Sequence, residues 1–471
     1  MATISSAGLG SGLDVASIVS QLMAIERQPK TDLATAATKI QTQISEVGKI
    51  SSAVSKLRDL SSKLSSTTFW QQTTATSSST AVSVTSSSSA LAAGYSVEVQ
   101  QLASSQSLLA GQTFASPTDA VGTGTLTLEM GTWGAGQASF ASRAPAATAS
   151  ITIDGTDTVQ TLRDKINAAG LGVSASILTD ASGSRLVMRS KETGEINGFR
   201  VSVAGGTGGL TSLGFDPSTG VTGATQKTAA ANAKATVDGV SVTSAGNTLA
   251  DVLDGVSLTL TALTTAPVSV KVAGDTETIK KTMQDFATAY TDLAKLISTD
   301  TKYDAAAKKA GPLQGDGSII GMQSRLRSLL SASSTASTAF KTMSDAGFEQ
   351  QRDGSLTVNT TKLDKALANL PQLKALFSNT NLTDVNNDGF GRRFRNIADD
   401  LLNTGGALTS RTSGLNDKLQ RNQKSQDAIE QRLVQTQKRL EAQYGALDTK
   451  IASLNGLSTY VTQQVAQWNK A

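Results

Sequence analysis

A short run of oxygen-bearing side chains has the spacing that opens a calcium-binding loop: Asp384-x-Asn386-x-Asp388-Gly389. Such a loop needs a bidentate glutamate at its twelfth position, where this chain has Arg395. Without that ligand the run is better interpreted as an Asx-rich turn, in which the carboxylates bond to their own backbone. We therefore predict no metal site.

Two residue types that often take part in catalysis are missing from the chain, which limits the possible reactions further. The 471 residues include no cysteine and no histidine, which excludes thiol nucleophiles, histidine bases, disulfides and nearly every zinc site. Carboxylates remain, but adjacent ones such as Asp399 and Asp400 point in different directions on a helix. Because nothing selects a working pair among the carboxylates, we predict no catalytic residue and no enzyme.

Two glycine-rich stretches are candidates for phosphate loops. Gly8, Gly10 and Gly12 alternate near the start, and a second cluster spans 205–209. Neither cluster is followed by Gly-Lys-Ser/Thr or lies between a buried strand and a helix. We expect no nucleotide and no other cofactor.

The charge pattern also limits the possible partners. The chain has 42 basic and 38 acidic residues, and the two signs are interleaved, which is not the footprint of a nucleic-acid-binding surface. No stretch approaches the roughly 18 apolar residues of a spanning helix, so we expect no membrane insertion. Residues 1–13 lack the basic start and apolar run of a signal peptide, so we expect any export to proceed without a cleaved signal.

Helical periodicity marks both ends of the chain. Asp14 can cap a helix that ends or kinks before Pro29, and a second helix is predicted from about Thr31 to Leu64. A longer apolar pattern begins near Leu415 and continues towards the C-terminus. Two long matched patterns at opposite ends of the chain favour coiled-coil pairing of the terminal helices.

The middle of the chain has a different period. From Val82 to Val272 apolar residues alternate with period 2, which predicts strands, and Asp238-Gly239 predicts a tight hairpin turn. One short helix is expected near 159–166. The Ser/Thr-rich stretch at 73–89 and the Gly-rich stretch at 204–224 are interpreted as crossings between subdomains.

After Asp275 the pattern becomes helical again. Six apolar residues follow a strict 4-3-4-3-4 spacing: Ile279, Met283, Phe286, Tyr290, Leu293 and Ile297. Shorter helices are expected near 317–331, 361–377 and 392–403. The predicted fold class is therefore α+β and multidomain, with a terminal helical coiled-coil or bundle stalk and an inserted, two-part, β-rich head.

The same patterns suggest domain boundaries. We predict terminal helical leg segments at 1–40 and 431–471, and a helical stalk domain at 41–72 and 276–430. The β-rich head divides into a domain at 73–108 and 200–275 and an outermost domain at 109–199.

The first 29 residues carry a family resemblance. They read MATISSAGLGSGLDVASIVSQLMAIERQP, and the AGLGSGLD entry resembles that of the flagellar filament cap family, also called hook-associated protein 2. Other segments are similar to the same family: YSVEVQQLASSQ at 95–106, GPLQGD at 311–316 and LDTKIASLNGLSTYVTQQV at 447–465. Residues 151–191 resemble a module inserted in flagellins and caps, and residues 230–260 resemble part of the family's C-terminal half.

The resemblance implies a location and a set of partners. It implies export through the flagellar type III channel, without cleavage, to the extracellular tip of the bacterial flagellum. It implies a homo-oligomeric ring of about four to six subunits, under which flagellin folds and inserts. It also implies contacts with the hook–filament junction protein and with an export chaperone that binds the C-terminal region.

The predicted assembly residues are hydrophobic residues near the chain ends: Leu22, Ile25, Leu457, Val461, Val465 and Trp468. The last four recur at spacings of 4, 4 and 3, so a helix there presents one apolar stripe, called the tail stripe below. The stripe either packs back on residues 15–25 or docks the chaperone before secretion and a neighbouring axial subunit afterwards.

Two other functions are compatible with these patterns. Another axial flagellar protein, such as flagellin or a junction protein, shares paired terminal helices but lacks the GLGSGLD entry. A surface adhesin or glycan-binding module would use the β-rich residues 73–275, and a glycan or mucin binding assay on that fragment separates this alternative.

Overall fold

The computed structural model describes residues 14–306 and 308–469, and the chain divides into two compact units. A helical unit combines the residues up to Trp70 with those from Thr276 onwards, and Gln71–Asp275 form a β-rich unit. The β-rich unit is thus inserted into the sequence of the helical unit. This organisation confirms the predicted α+β, multidomain fold class.

Helices predominate towards both ends of the described sequence, and strands predominate in its middle. The helices are α1 (Val15–Glu26), α2 (Gln28–Ser65), α3 (Val159–Ala168), α4 (Thr276–Thr301), α5 (Gly317–Leu330), α6 (Thr360–Leu367), α7 (Leu370–Ser378), α8 (Phe390–Leu402) and α9 (Ala407–Trp468). The strands up to residue 190 are β1 (Thr73–Ser77), β2 (Val82–Ser86), β3 (Ala93–Gln101), β4 (Ser107–Leu109), β5 (Gly124–Trp133), β6 (Phe140–Ser142), β7 (Thr148–Ile153), β8 (Val173–Asp180) and β9 (Gly183–Ser190). The later strands are β10 (Gly198–Ala204), β11 (Phe215–Asp216), β12 (Val221–Thr222), β13 (Thr225–Thr228), β14 (Ala233–Val237), β15 (Val240–Ser244), β16 (Thr248–Leu253), β17 (Val256–Leu260), β18 (Val268–Gly274), β19 (Tyr303–Asp304), β20 (Lys309–Ala310), β21 (Phe348–Gln350) and β22 (Leu356–Val358).

The first two helices follow each other almost without a break. Asp14 caps α1, since its Oδ1 accepts a hydrogen bond of 2.9 Å from the Ser17 amide. The next helix begins at Gln28 and not near Thr31, so the predicted start was about one turn late. Pro29 lies in the first turn of α2, where a missing amide hydrogen costs nothing. The interruption between the helices is confined to Arg27.

The core of the helical unit is built around α4. All six residues of its 4-3-4-3-4 pattern are buried, as the spacing predicted. The Phe286 ring meets the rings of Phe348 and Phe394 edge to face, at centroid distances of 5.8 and 5.1 Å. The helix predicted at 361–377 is in fact two helices, α6 and α7, separated at Ala368 and Asn369.

The sheets of the β-rich unit sort around two hydrophobic cores. The first core lies between a five-stranded antiparallel sheet, in the order β1-β18-β3-β14-β15, and a three-stranded sheet, β16-β17-β2. The second core holds α3, the sheet β12-β11-β10-β5-β6 with β7 paired to β5, and the sheet β13-β4-β9-β8. Buried residues of the second core span 108–224, whereas the first draws on 82–103 and 233–272. The predicted domain boundaries, including the division at 109 and 199, stay predictions.

Two stretches interpreted as crossings are regular structure. Residues 73–77 and 82–86 form β1 and β2, because their alternating Thr, Ser and Val residues suit half-buried edge positions. Within 204–224, Leu210 and Phe215 are buried in the second core. The crossing interpretation was therefore wrong at both places.

Two local predictions in the β-rich unit are confirmed. Asp238 and Gly239 join β14 to β15 as a two-residue turn with positive φ values of 50° and 80°, and Val237 pairs with Val240. The helix α3 buries Val159, Leu162 and Ile166. Across residues 14–306 and 308–469, no helix has both the length and the apolar character that crossing a lipid bilayer requires.

Candidate assembly site

The helix α1 packs against the middle of α9 through a small cluster of its own. Val15, Val19 and Met23 are buried with Leu433, and three half-buried residues of α9 lie against them: Ile429, Leu440 and Tyr444. The partners on α1 recur at intervals of four because one face of a helix returns at that spacing. This contact pairs the two ends of the chain, as the matched patterns predicted.

An exposed ion pair shows the direction of this pairing. Lys30 Nζ lies 2.5 Å from Glu430 Oε2, and that hydrogen bond holds the pKa of the Glu430 carboxyl below its usual range. Further back along the chain, Val15 lines a groove that also contains Gly445. Lys30, at the start of α2, thus faces Glu430, whereas Val15, at the start of α1, lies near Gly445. The chain from α1 into α2 therefore runs antiparallel to α9.

Beyond this pairing, none of the residues that the structure describes covers the last part of α9. From Ser453 to Asn469 every residue is exposed. The tail stripe is included: Val465 is 49% exposed and Trp468 is 83% exposed. The structure therefore does not place the tail stripe on residues 15–25, whose buried side chains contact the 429–444 region instead.

The six predicted assembly residues form two separate groups. On α1, Leu22 is half-buried and Ile25 is 73% exposed. This part of α1 faces Leu433, and Leu457 lies 24 residues further along α9, which corresponds to about 36 Å of helix. The structure thus brings neither Leu22 nor Ile25 to the tail stripe. A role for either group in assembly stays a prediction.

The residues around the tail stripe extend it. Leu447, Ile451, Leu454 and Ser458 precede Val461 at alternating spacings of 4 and 3. Leu454 and Tyr460 are also exposed and were not among the predicted site residues. The continuing 4-3 spacing is the signal that could have identified Leu454, whereas Tyr460 lies outside that pattern.

A groove between α1 and α9 is a second feature that is open among the described residues. It has a volume of about 420 Å³, and we call it the α1–α9 groove. Its lining consists of three apolar residues, three small residues and three long polar or charged residues: Val15, Val19 and Met23, then Ala16, Ser20 and Gly445, then Arg27, Gln437 and Glu441. No single stretch of sequence signals this groove, because its two walls lie more than 400 residues apart.

The run that resembles a calcium loop is an Asx-rich turn, as interpreted. The Asp384 carboxylate accepts hydrogen bonds from the Asn386 amide and the Asn387 side chain, both at 2.9 Å. Asp388 is buried and accepts from the Asn381 amide at 2.6 Å. These carboxylates therefore hold their own loop together.

The remaining candidates are the adjacent carboxylates Asp399 and Asp400 and the glycines near the start of the chain. Asp400 pairs with Arg325 on α5 at 3.2 Å, and the neighbouring Asp399 takes no part in that contact. Gly8, Gly10 and Gly12 lie outside the described residues. Among the residues that the structure does describe, no group of three or more acidic side chains is placed to hold a metal ion.

Comparison with known proteins decides the family. Residues 11–106 and 230–456 match the models of the N-terminus and the C-terminus of flagellar hook-associated protein 2. The chain is 30% identical to flagellar hook-associated protein 2 of Escherichia coli K12, over 98% of each chain. The chain belongs to the flagellar hook-associated protein 2 family. This is a family of structural flagellar cap proteins and not of enzymes.

Other comparisons agree with membership of the hook-associated protein 2 family. B-type flagellar hook-associated protein 2 of Pseudomonas aeruginosa is also 30% identical, over 98% of this chain and 97% of that protein. The crystal structure of the D1-D2-D3 domains of the flagellar cap protein FliD from Escherichia coli superposes with a TM-score of 0.60 and 28% identity, covering 79% of this chain and 99% of that one.

Two of the matches relate directly to the elements described above. The flagellin hook IN motif matches residues 145–192, which contain β7, α3, β8 and β9. The C-terminal family match ends at residue 456, so all four residues of the tail stripe lie beyond it.

Proposed function

We propose that this protein caps the distal end of the bacterial flagellar filament. It forms a homo-oligomeric ring there, retains the flagellin that leaves the export channel, and promotes the folding and insertion of that flagellin. The observation that carries the proposal is the similarity to hook-associated protein 2 over nearly the whole chain, together with the superposition on a protein described as a flagellar cap. The same similarity favours a cap over another axial protein or an adhesin.

The exposed tail of α9 supports a role in assembly. An apolar stripe on an uncovered helix is unfavourable in water, and proteins that carry one normally cover it with a partner. The segment 451–469 contains no charged residue, so no desolvated charge opposes such a contact. The tail stripe therefore docks the export chaperone before secretion and an axial subunit afterwards, as a helix held in a groove.

The proposal also assigns roles to flagellin and to the hook–filament junction protein. Flagellin folds beneath the ring, and burial of its apolar surface supplies the free energy that moves the cap outward. The hook–filament junction protein is the surface on which the first ring sits. The protein reaches this position through the flagellar export channel.

Loss of the protein from its own bacterium tests the proposal. Without a cap, flagellin should appear in the medium as monomer, and the hooks seen by electron microscopy should carry no long filaments. The full chain supplied in trans should restore both. Normal filaments in the deletion strain would contradict the capping role, and electron microscopy of the purified protein should show rings whose subunits can be counted.

A further inference from the structure

Two features of the helical unit are uncovered and chemically alike. The tail stripe presents large apolar side chains from α9, and the α1–α9 groove includes apolar and small residues in its lining. Small residues in the lining allow another helix to approach closely at their positions. Three such residues line the groove: Ala16, Ser20 and Gly445.

The two features also match in length. Residues 451–469 carry no charge, and the lining of the groove contains one charged residue of each sign, Arg27 and Glu441. The groove runs from Val15 to Arg27, a separation of 12 positions, and the stripe runs from Leu457 to Trp468, a separation of 11 positions. At a rise of 1.5 Å per residue these lengths are about 18 and about 17 Å.

The two features cannot meet within one copy of the chain. Gly445 and Val461 lie on the same uninterrupted helix α9, 16 residues apart, which places them about 24 Å from each other along its axis. To enter its own groove, the tail would have to break α9 and reverse direction. A second copy can present its tail without any such change.

We propose that the tail stripe of one copy seats in the α1–α9 groove of the next copy. The contact continues an interface that already exists, because α9 pairs with α1 up to Tyr444 and its 4-3 spacing runs on from Leu447 to Trp468. In the neighbouring copy the tail adds a third helix to that pair. This inference names the axial subunit that the tail stripe meets, and it rests on the ring in the proposed function.

The contact has a consequence for symmetry. Its two surfaces differ, so each copy gives a tail to one neighbour and receives a tail from another. A head-to-tail contact of this kind repeats from copy to copy and closes into a ring when the rotation allows. It would therefore hold a ring together at its helical unit.

The absence of cysteine from the natural chain permits a direct test. Two full-length variants are made, Ser20→Cys in the lining of the groove and Ser458→Cys on the face of the tail stripe. The two proteins, distinguished by mass, are mixed and mildly oxidised. We expect a disulfide-linked mixed dimer as the main product.

Thr459→Cys is the matched control. Thr459 is exposed like Ser458 and lies next to it, but its side chain points to the opposite face of α9. A disulfide forms only when the two Cα atoms come within about 7 Å, so Thr459→Cys mixed with Ser20→Cys should yield about tenfold less dimer.

Each other outcome would overturn the inference. Rings of the natural protein without the mixed dimer would exclude this contact and leave the capping role intact, whereas loss of both rings and dimer would contradict both proposals. Ser458→Cys that links mainly to itself would indicate tails paired with tails. A double Ser20→Cys, Ser458→Cys chain that closes on itself would indicate a tail folded back within one copy.

Discussion

Helix α4 and the tail of α9 carry nearly the same sequence pattern and have opposite surroundings. In α4 every residue from Ile279 to Ile297 that keeps the 4-3 spacing is buried. In the tail the same spacing runs from Leu454 to Trp468, and every one of those residues is exposed. Periodicity therefore predicts which face of a helix is apolar. It does not predict what covers that face, because the covering residues come from elsewhere in the chain or from another molecule.

The largest effect is expected at the covered helix. Phe286→Ala removes a ring that contacts Phe348 and Phe394, and should lower the free energy of unfolding by about 3–5 kcal/mol. Urea denaturation followed by the helical circular dichroism signal measures this loss. Val461→Ala in the tail is the matched control, and its expected effect is below about 0.5 kcal/mol. Equal losses in the two variants would mean that the tail is covered as well.

The first turns of α9, called its base below, and the middle of α9, which pairs with α1, should differ in how much their ion pairs contribute to stability. At the base, Arg411 Nε donates to the buried Asp316 Oδ2 at 2.6 Å, and Asp316 also caps α5. Asp316→Ala should cost about 2–4 kcal/mol, because it removes a cap and strands a partly buried guanidinium. Glu430→Gln breaks only the exposed pair with Lys30, and should cost less than about 1 kcal/mol.

Urea denaturation of these two variants compares the two ends of α9. The base of α9 belongs to the core of the helical unit, where Leu408 and Leu415 are buried. If Glu430→Gln were as damaging as Asp316→Ala, the pairing of the start of α2 with α9 would be as firmly held as that base.

The sequence predicted best where one element contains its own signal. The face of α4, the Asp238-Gly239 turn and the buried side of α3 each depend on spacings within a few residues. The strands β1 and β2 were missed because Ser and Thr resemble linker composition, and their strand character comes from pairing with β18 and β17. Those partners lie about 170 to 200 residues away, where local reasoning does not reach.

The candidate site divides in the same way. The tail stripe follows from its own spacing, so its residues could be named from sequence. The α1–α9 groove needs Ala16 and Gly445 to be neighbours, which only the folded pairing establishes. The six assembly residues were named as one set, and the structure separates them because α1 meets α9 well before the tail.

A smaller effect on stability is expected at Asp300, a buried carboxyl on α4. Asp300 is 4% exposed, and its Oδ2 has no hydrogen-bond partner among the described residues. Burial, and then the nearby Glu46, raise the pKa of this carboxyl. A raised pKa in the folded state gives a stability contribution that is complete below the unfolded value, near about 3.9, and is lost as the pH rises through the folded value.

Asp300→Asn should remove the destabilisation that the ionised carboxylate causes once the pH exceeds its pKa in the folded protein. The variant should be more stable than the natural protein at pH 7 by about 1 kcal/mol, because the amide carries no buried charge. The advantage should shrink towards pH 4, and urea denaturation at the two pH values measures it. A variant that is less stable at pH 7 would mean that the carboxylate is stabilised by a contact that the amide cannot make.

The smallest effect on folding, and the largest on assembly, is expected at the tail. Trp468→Ala combined with Val465→Ala removes the most exposed side chain of the stripe and its neighbour on the same face. Because neither side chain is buried, the free energy of unfolding should change by less than about 0.5 kcal/mol. A large aromatic residue in a groove often carries at least about 2 kcal/mol of binding free energy, so chaperone affinity measured by titration calorimetry should fall and filament capping should be reduced.

Thr459→Ala with Gln463→Ala, on the opposite face, should leave chaperone affinity and filament capping unchanged. If the stripe variant binds the chaperone with natural affinity and its cells assemble normal filaments, the tail is not a docking surface. The tail of α9 would then differ from α4 only in being exposed, and not in binding a partner.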